Sequence, residues 1–190
     1  KQQRRTFVGR EASRKTDGER IRVIADKALD AELRWLYLAY VEDGLDHGKM
    51  SATDMASKLD LVTPTLSYDE FSDVDIVIEA VPEKMGIKKQ VFQELEEVCP
   101  EQTIFASNTS ALSISEMAAA TDKPHKVIGM HFFNPAHVMK LVEVIPGLDT
   151  GRETQDDVVM FAETLRKIPV VVQECPGFLV NRLLMPYLNE

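Results

Sequence analysis

The sequence predicts an α/β domain built on a doubly wound, mostly parallel sheet. Three observations predict it. The β-branched run DIVIEAV (75–81) reads as a strand covered on both faces, and PVVVQ (169–173) as a further strand. Between them lie segments with apolar residues three and four apart, the stripe of an amphipathic helix. The two kinds alternate along most of the chain, the order that joins parallel strands through helical crossovers.

Taken in order, residues 1–20 are polar and basic and carry no assignable pattern. RIRVIA (20–25) alternates as a short strand ending at Asp26. Leu29, Leu33, Leu36, Tyr40 and Val41 stripe a helix over 27–44, with Gly44 suited to its C-terminal end. Ser51 with Asp54 opens a second, short helix to about 59. Residues 61–63 form a short strand, which Pro64 is expected to stop. DIVIEAV follows as the clearest strand. Ile87, Val91, Leu95 and Val98 give the buried side of a helix over 84–98. TIFAS (103–107) is the next strand. Ser113 with Glu116 reads as a capping box, and so does Thr150 with Glu153. KVIGMHF (126–132) and 138–145 are strands, and Val158, Phe161, Ala162 and Leu165 stripe the helix after the second box. After PVVVQ come a Pro176-Gly177 turn and a helical segment from 178 to 190.

A chain of 190 residues holds one ordinary domain with a real core and a fragment of a second. Its hydrophobic fraction of 44% is that of a globular protein. A net charge of −9 argues against nucleic acid as a partner. The basic residues crowd the head, at Lys1, Arg4, Arg5, Arg10, Arg14, Lys15, Arg20 and Arg22. That head has no apolar core, so it is no secretory signal, and Glu11 and Asp17 interrupt any transit-peptide pattern. No apolar run approaches the roughly 18 residues of a membrane span. Cys99 and Cys175 lack metal-ligand spacing, which points to a reducing compartment and no metal site. The absent initiator Met and the helical ending read as a piece of something longer.

Chemistry gathers in HFFNPAHVMKLVEVI, residues 131–145. On the strand at its end, Met139, Leu141, Glu143 and Ile145 share one face. A carboxylate among apolar side chains is costly unless paired. His131 is a suitable partner, and a histidine held by an acid can act as a general base. The alternative is a core histidine beside a strand-edge charge. Further polar residues follow the other strands: Glu83 after DIVIEAV, Asn108 and Ser110 after TIFAS, Asn134 after KVIGMHF. In doubly wound sheets ligands bind beyond those strand ends.

DVDIVIEAVPE, TIFASNTSALSI, VIGMHFFNP, VMKLVEVI and PGFLVNRLLMPYLNE, in that order, resemble the NAD-binding domain of the 3-hydroxyacyl-CoA dehydrogenase family. The chain is similar in particular to the dehydrogenase module of multifunctional fatty-acid oxidation enzymes. The likeness is strong over 60–190 and loose over 26–60. It implies a Rossmann-like dinucleotide-binding domain at 1–176 and, at 177–190, the first helix of a truncated C-terminal helical domain. It implies NAD as cofactor and L-3-hydroxyacyl-CoA as substrate, oxidised to 3-ketoacyl-CoA in β-oxidation. His131 would be the base, Glu143 its partner, Ser110 the hydrogen-bond donor to the reacting oxygen, and Asn181 a holder of the substrate side. Asp26, Glu83, Lys88, Asn108, Ser110 and Asn134 would line the cofactor cleft. The resemblance further implies association with enoyl-CoA hydratase and thiolase modules, a homodimer, and a bacterial cytoplasm or a mitochondrial or peroxisomal matrix.

The chemistry suits these residue types without the family. Oxidising a secondary alcohol needs a base for the O–H proton and a hydride acceptor that no side chain can be. One departure stands against the match. No G-x-G-x-x-G run follows the first strand, and Gly9 and Gly18 are the only glycines near it. Three explanations compete: a piece that begins or is interrupted within the motif, a rebuilt head whose basic residues meet phosphates, or lost NAD binding. The last supports a rival reading, a non-catalytic relative of the same fold; a third reading is an enzyme acting on other hydroxyacids.

Overall fold

The computed structural model describes residues 5–9, 21–25, 51, 53, 62–65, 67–136 and 138–189. The helices expected at 27–44 and 51–59, and Asp26, lie outside them or nearly so. Among the described residues the strands are β1 (Arg5–Gly9), β2 (Ile21–Ala25), β3 (Val62–Thr65), β4 (Ile76–Ala80), β5 (Ile104–Ser107), β6 (Val127–Phe132), β7 (Leu141–Pro146) and β8 (Ile168–Val171). They form one eight-stranded sheet in the order β3-β1-β2-β4-β5-β6-β7-β8. The helices, numbered among the described residues, are α1 (Met85–Glu96), α2 (Ile114–Ala118), α3 (Arg152–Thr164) and α4 (Val180–Asn189).

The centre is parallel, as expected: β2, β4, β5 and β6 run together. Side-chain alternation splits the core between its faces. Val77, Phe105 and Val127 point to the face covered by α1 and α2, against Val91, Phe92, Leu95 and Met117. Ile76, Ile78, Ala106, Ile128 and Met130 point to the other, against Val158, Phe161 and Ala162 of α3. The sheet is thus covered on both sides, which is why its central strands read as unbroken apolar runs.

Several expectations need correction. Residues 5–9, expected to be irregular, form a strand antiparallel to both β2 and β3. Pro64 does not end its strand; it sits inside β3, an edge strand of the sheet, where proline is tolerated. The strand expected from 138 starts at Leu141, and Met139 is exposed. β7 runs antiparallel to β6, and the described residues of the segment 133–140 between them form no crossover helix. Ser113 caps α2 as expected, accepting from the Glu116 N–H at 3.1 Å. Thr150 does not cap α3. Its hydroxyl donates to the Val127 carbonyl at 2.6 Å, and Gly151 takes the cap position.

Candidate active site

The β6–β7 pairing sets the site. His131 and Glu143 are partners in its register, so two residues twelve apart in sequence stand opposite each other on one face. His131 Nδ1 lies 2.7 Å from Glu143 Oε2, and both side chains are buried. The other carboxylate oxygen, Oε1, accepts the backbone N–H groups of Leu179 at 3.0 Å and Val180 at 2.9 Å. Glu143 therefore answers its burial with three hydrogen bonds, two of them at the start of α4. Phe133 and Phe178 flank the imidazole, with ring centres at 4.6 and 5.9 Å. With Nδ1 donating to the carboxylate, Nε2 is the nitrogen left to take a proton.

Ser110 and Asn181 come together beside this pair. Asn181 Nδ2 donates to the Ser110 carbonyl at 3.3 Å. Glu83 holds the Ser110 loop from below: its Oε1 accepts the Thr109 hydroxyl at 2.5 Å and the Ser110 N–H at 2.9 Å. Partial burial pushes the Glu83 carboxyl up. The Thr109 hydroxyl, the Lys88 charge and the Ser110 N–H outweigh that and hold it below the usual carboxylate range. Asn108 ties the ends of β5 and β6 together, its Oδ1 accepting the Phe132 N–H at 2.9 Å. Asn134 is exposed, in the segment between β6 and β7.

Lys88, expected at the lining of the cleft, lies behind it. It is 1% exposed, and its Nζ donates to Glu79 Oε1 at 2.8 Å and to the Val81 carbonyl at 3.2 Å. Glu83 Oε2 is 3.3 Å away. Glu79 is fully buried on β4 and also accepts from the Ser107 hydroxyl at 2.6 Å and the Val81 N–H at 2.6 Å. Sequence reasoning missed Glu79, although an acid inside the apolar run DIVIEAV needs a partner. Removing one half of a buried ion pair strands the other charge. Lys88→Ala should cost about 3–5 kcal/mol of stability, measured by denaturant unfolding. A loss under about 1 kcal/mol, the worth of an exposed pair, would show that this pair is not buried.

The residues that could serve a dinucleotide's nicotinamide half are Glu83, Ser110, Asn108 and Asn134. A half-exposed carboxylate, kept ionised and set beyond the end of β4, suits sugar hydroxyls, which donate to it. Among the described residues no group of three or more His, Cys, Asp or Glu side chains gathers for a metal ion. None of their helices is long and apolar enough to cross a membrane.

Residues 20–175 match the family model described as 3-hydroxyacyl-CoA dehydrogenase, NAD binding domain. A 3-hydroxybutyryl-CoA dehydrogenase of Clostridioides difficile is 51% identical over 143 residues, 75% of this chain and 51% of that protein. The fatty acid oxidation complex subunit alpha of Pseudomonas syringae pv. syringae is 49% identical over 145 residues, 76% of this chain and 20% of the subunit. The chain thus spans about half the length of the first relative and a fifth of the second. Among solved structures, the (S)-3-hydroxybutyryl-CoA dehydrogenase of Ralstonia eutropha superimposes with a TM-score of 0.77. It is 39% identical, over 80% of this chain and 54% of that one. The 3-hydroxybutyryl-CoA dehydrogenase of Escherichia coli K12 gives 0.79 and 38%, over 87% of this chain and 35% of that one. Matched along most of its length by the family model, and carrying the same fold as these enzymes, the chain belongs to the 3-hydroxyacyl-CoA dehydrogenase family, of which it holds the NAD-binding domain.

Proposed function

We propose that the protein carrying this chain oxidises L-3-hydroxyacyl-CoA to 3-ketoacyl-CoA with NAD+, as a step of fatty-acid oxidation. The observation that carries the reading is the buried His131–Glu143 pair beside Ser110 and Asn181. When bound, the nicotinamide supplies the hydride acceptor. His131 Nε2 takes the 3-hydroxyl proton while C3 gives up its hydrogen with two electrons, and the C–O bond becomes a carbonyl. Glu143 stabilises the imidazolium so formed. Ser110 donates to the reacting oxygen, and Asn181 holds the substrate side. Glu83 and Asn134 meet the nicotinamide half of the cofactor, with Lys88 setting Glu83 from behind. Asp26 completes the proposed cofactor set as the acid that would meet a ribose.

A boundary at 176 fits the same reading. Gly177 takes a left-handed φ of +76°, and a Cβ there would meet the Arg182 amide nitrogen at 3.2 Å. The chain turns there into α4, whose exposed Leu183, Leu184, Met185 and Leu188 suit the first helix of a second domain. Acyl-CoA is the proposed substrate partner, and hydratase and thiolase modules the proposed associates.

The rival reading, a relative that has lost its cofactor, draws on the absent G-x-G-x-x-G run, but the match of residues 20–175 to an NAD binding domain tells against it. The experiment that separates them follows NADH fluorescence on titration and NADH oxidation with acetoacetyl-CoA. Saturable NADH binding with turnover is the expected result. Folded protein that neither binds NADH nor turns over would leave only the fold.

A further inference from the structure

Glu174, between β8 and α4, has no part in the chemistry above, yet it closes a ring through the site. Its Oε1 accepts the Ser113 hydroxyl at 2.6 Å and the Ser115 N–H at 3.0 Å, and its Oε2 accepts the Ser115 hydroxyl. Ser113 lies three residues after Ser110. Asn181 lies seven residues after Glu174 and returns to the Ser110 carbonyl. Two stretches of chain, 110–113 and 174–181, are thereby joined at both ends. The second passes through Gly177 and through Phe178, which packs on His131 with φ at +50°. A non-glycine residue in that conformation persists only where its surroundings fix it. Glu143 fixes it on one side, through Leu179 and Val180. Glu174 fixes the other.

We propose that Glu174 is a positioning residue, holding the Ser110 loop and the strap to Asn181 in one alignment relative to His131. The proposal rests on the reading of Ser110 and Asn181 as substrate residues. Glu83 grips the same loop from its opposite end, so the cofactor side does not depend on Glu174. Ser115 adds a link to the turn after β7, accepting the Leu148 N–H at 2.8 Å. Partial burial pushes the Glu174 carboxyl up, but the serine hydroxyls and the N–H groups of Ser115 and Ile114 hold it below the ordinary range. The acid is thus an ionised acceptor throughout neutral pH.

The test uses the natural polypeptide that carries this sequence. Glu174→Ala should lower kcat with acetoacetyl-CoA about tenfold, since misplacement near 1 Å costs up to about a hundredfold. The NADH Kd should stay within about twofold, and the pH–rate profile should keep its position, because the His131–Glu143 pair is untouched. Glu174→Gln keeps one acceptor oxygen for the serines and should recover kcat to within about threefold of the parent. Ser113→Ala with Ser115→Ala should reproduce most of the loss, and Glu174→Ala added to them should cost less than it does alone, only the Ser115 N–H bond remaining to be lost. A general structural role predicts otherwise: NADH affinity and kcat would fall together, without rescue by glutamine. That result, or folded Glu174→Ala with kcat within twofold, overturns the proposal.

Amide hydrogen exchange tests the same ring without catalysis. Glu174→Ala or the double serine variant should speed exchange at 110–113 and at 179–181 together. Unchanged rates at either segment overturn the proposal. A parent protein that shows this coupling but no turnover would sink the dehydrogenase reading instead.

Discussion

Replacing His131 by asparagine should lower kcat by roughly 10²–10⁴-fold, the worth of a positioned general base, while NADH affinity stays within about twofold. The choice of asparagine matters. His131 is 5% exposed and the Glu143 carboxylate behind it is fully buried. Alanine would leave one Glu143 oxygen without its 2.7 Å partner and cost about 1–3 kcal/mol of stability. An asparagine amide can still donate to that oxygen but cannot take a proton at neutral pH. The variant therefore separates chemistry from folding. Steady-state rates with acetoacetyl-CoA and with a 3-hydroxyacyl-CoA should fall alike, because one imidazole serves both directions of the reaction. A kcat retained within tenfold in folded protein would remove His131 as the base.

How far this site could be read from sequence depended on where each partner came from. His131 and Glu143 were legible because period-two alternation placed an acid among apolar neighbours, and such an acid demands a partner. That they face each other required the β6–β7 hairpin, which the alternation of strands and helices did not announce. Ser110 was legible by its place beyond a strand end but took its role from the motif, since a lone serine after a strand is an ordinary turn residue; Asn181 took its role from the motif as well. Glu79 and Glu174 escaped for opposite reasons. Glu79 sat inside the strongest strand signal, where β-branched neighbours drew attention from its charge. Glu174 stood beside a Pro-Gly turn, where an acid is unremarkable in composition, and its partners lie about sixty residues away. The place of β1 between β2 and β3 had no local signature, since strand order is a tertiary outcome.

The sharpest consequence of the geometry is that glutamine should be a worse replacement for Glu143 than alanine. Glu143 Oε1 accepts two backbone N–H groups, from Leu179 and Val180, while Oε2 faces His131 Nδ1. A glutamine must give one of those places to its NH2 group. Turned toward α4, the NH2 would set donor against donor at two amides. Turned toward His131, it keeps both α4 bonds. The second arrangement wins by two hydrogen bonds of about 1 kcal/mol each. The NH2 can only donate, so Nδ1 becomes an acceptor and the ring proton moves to Nε2. The base is then blocked at the nitrogen that must receive the substrate's proton. Turnover in Glu143→Gln should fall roughly 10²–10⁴-fold, with the pH–rate profile displaced; an asparagine in place of a triad aspartate has the same effect through the same tautomer. Glu143→Ala imposes no tautomer, so it should keep more of kcat while losing more stability, because the Leu179 and Val180 amides lose their acceptor. Rates and unfolding free energies of the two variants, measured side by side, decide the point. If alanine is the slower variant, or glutamine the less stable, the carboxylate does not divide its oxygens between α4 and the histidine in the working enzyme.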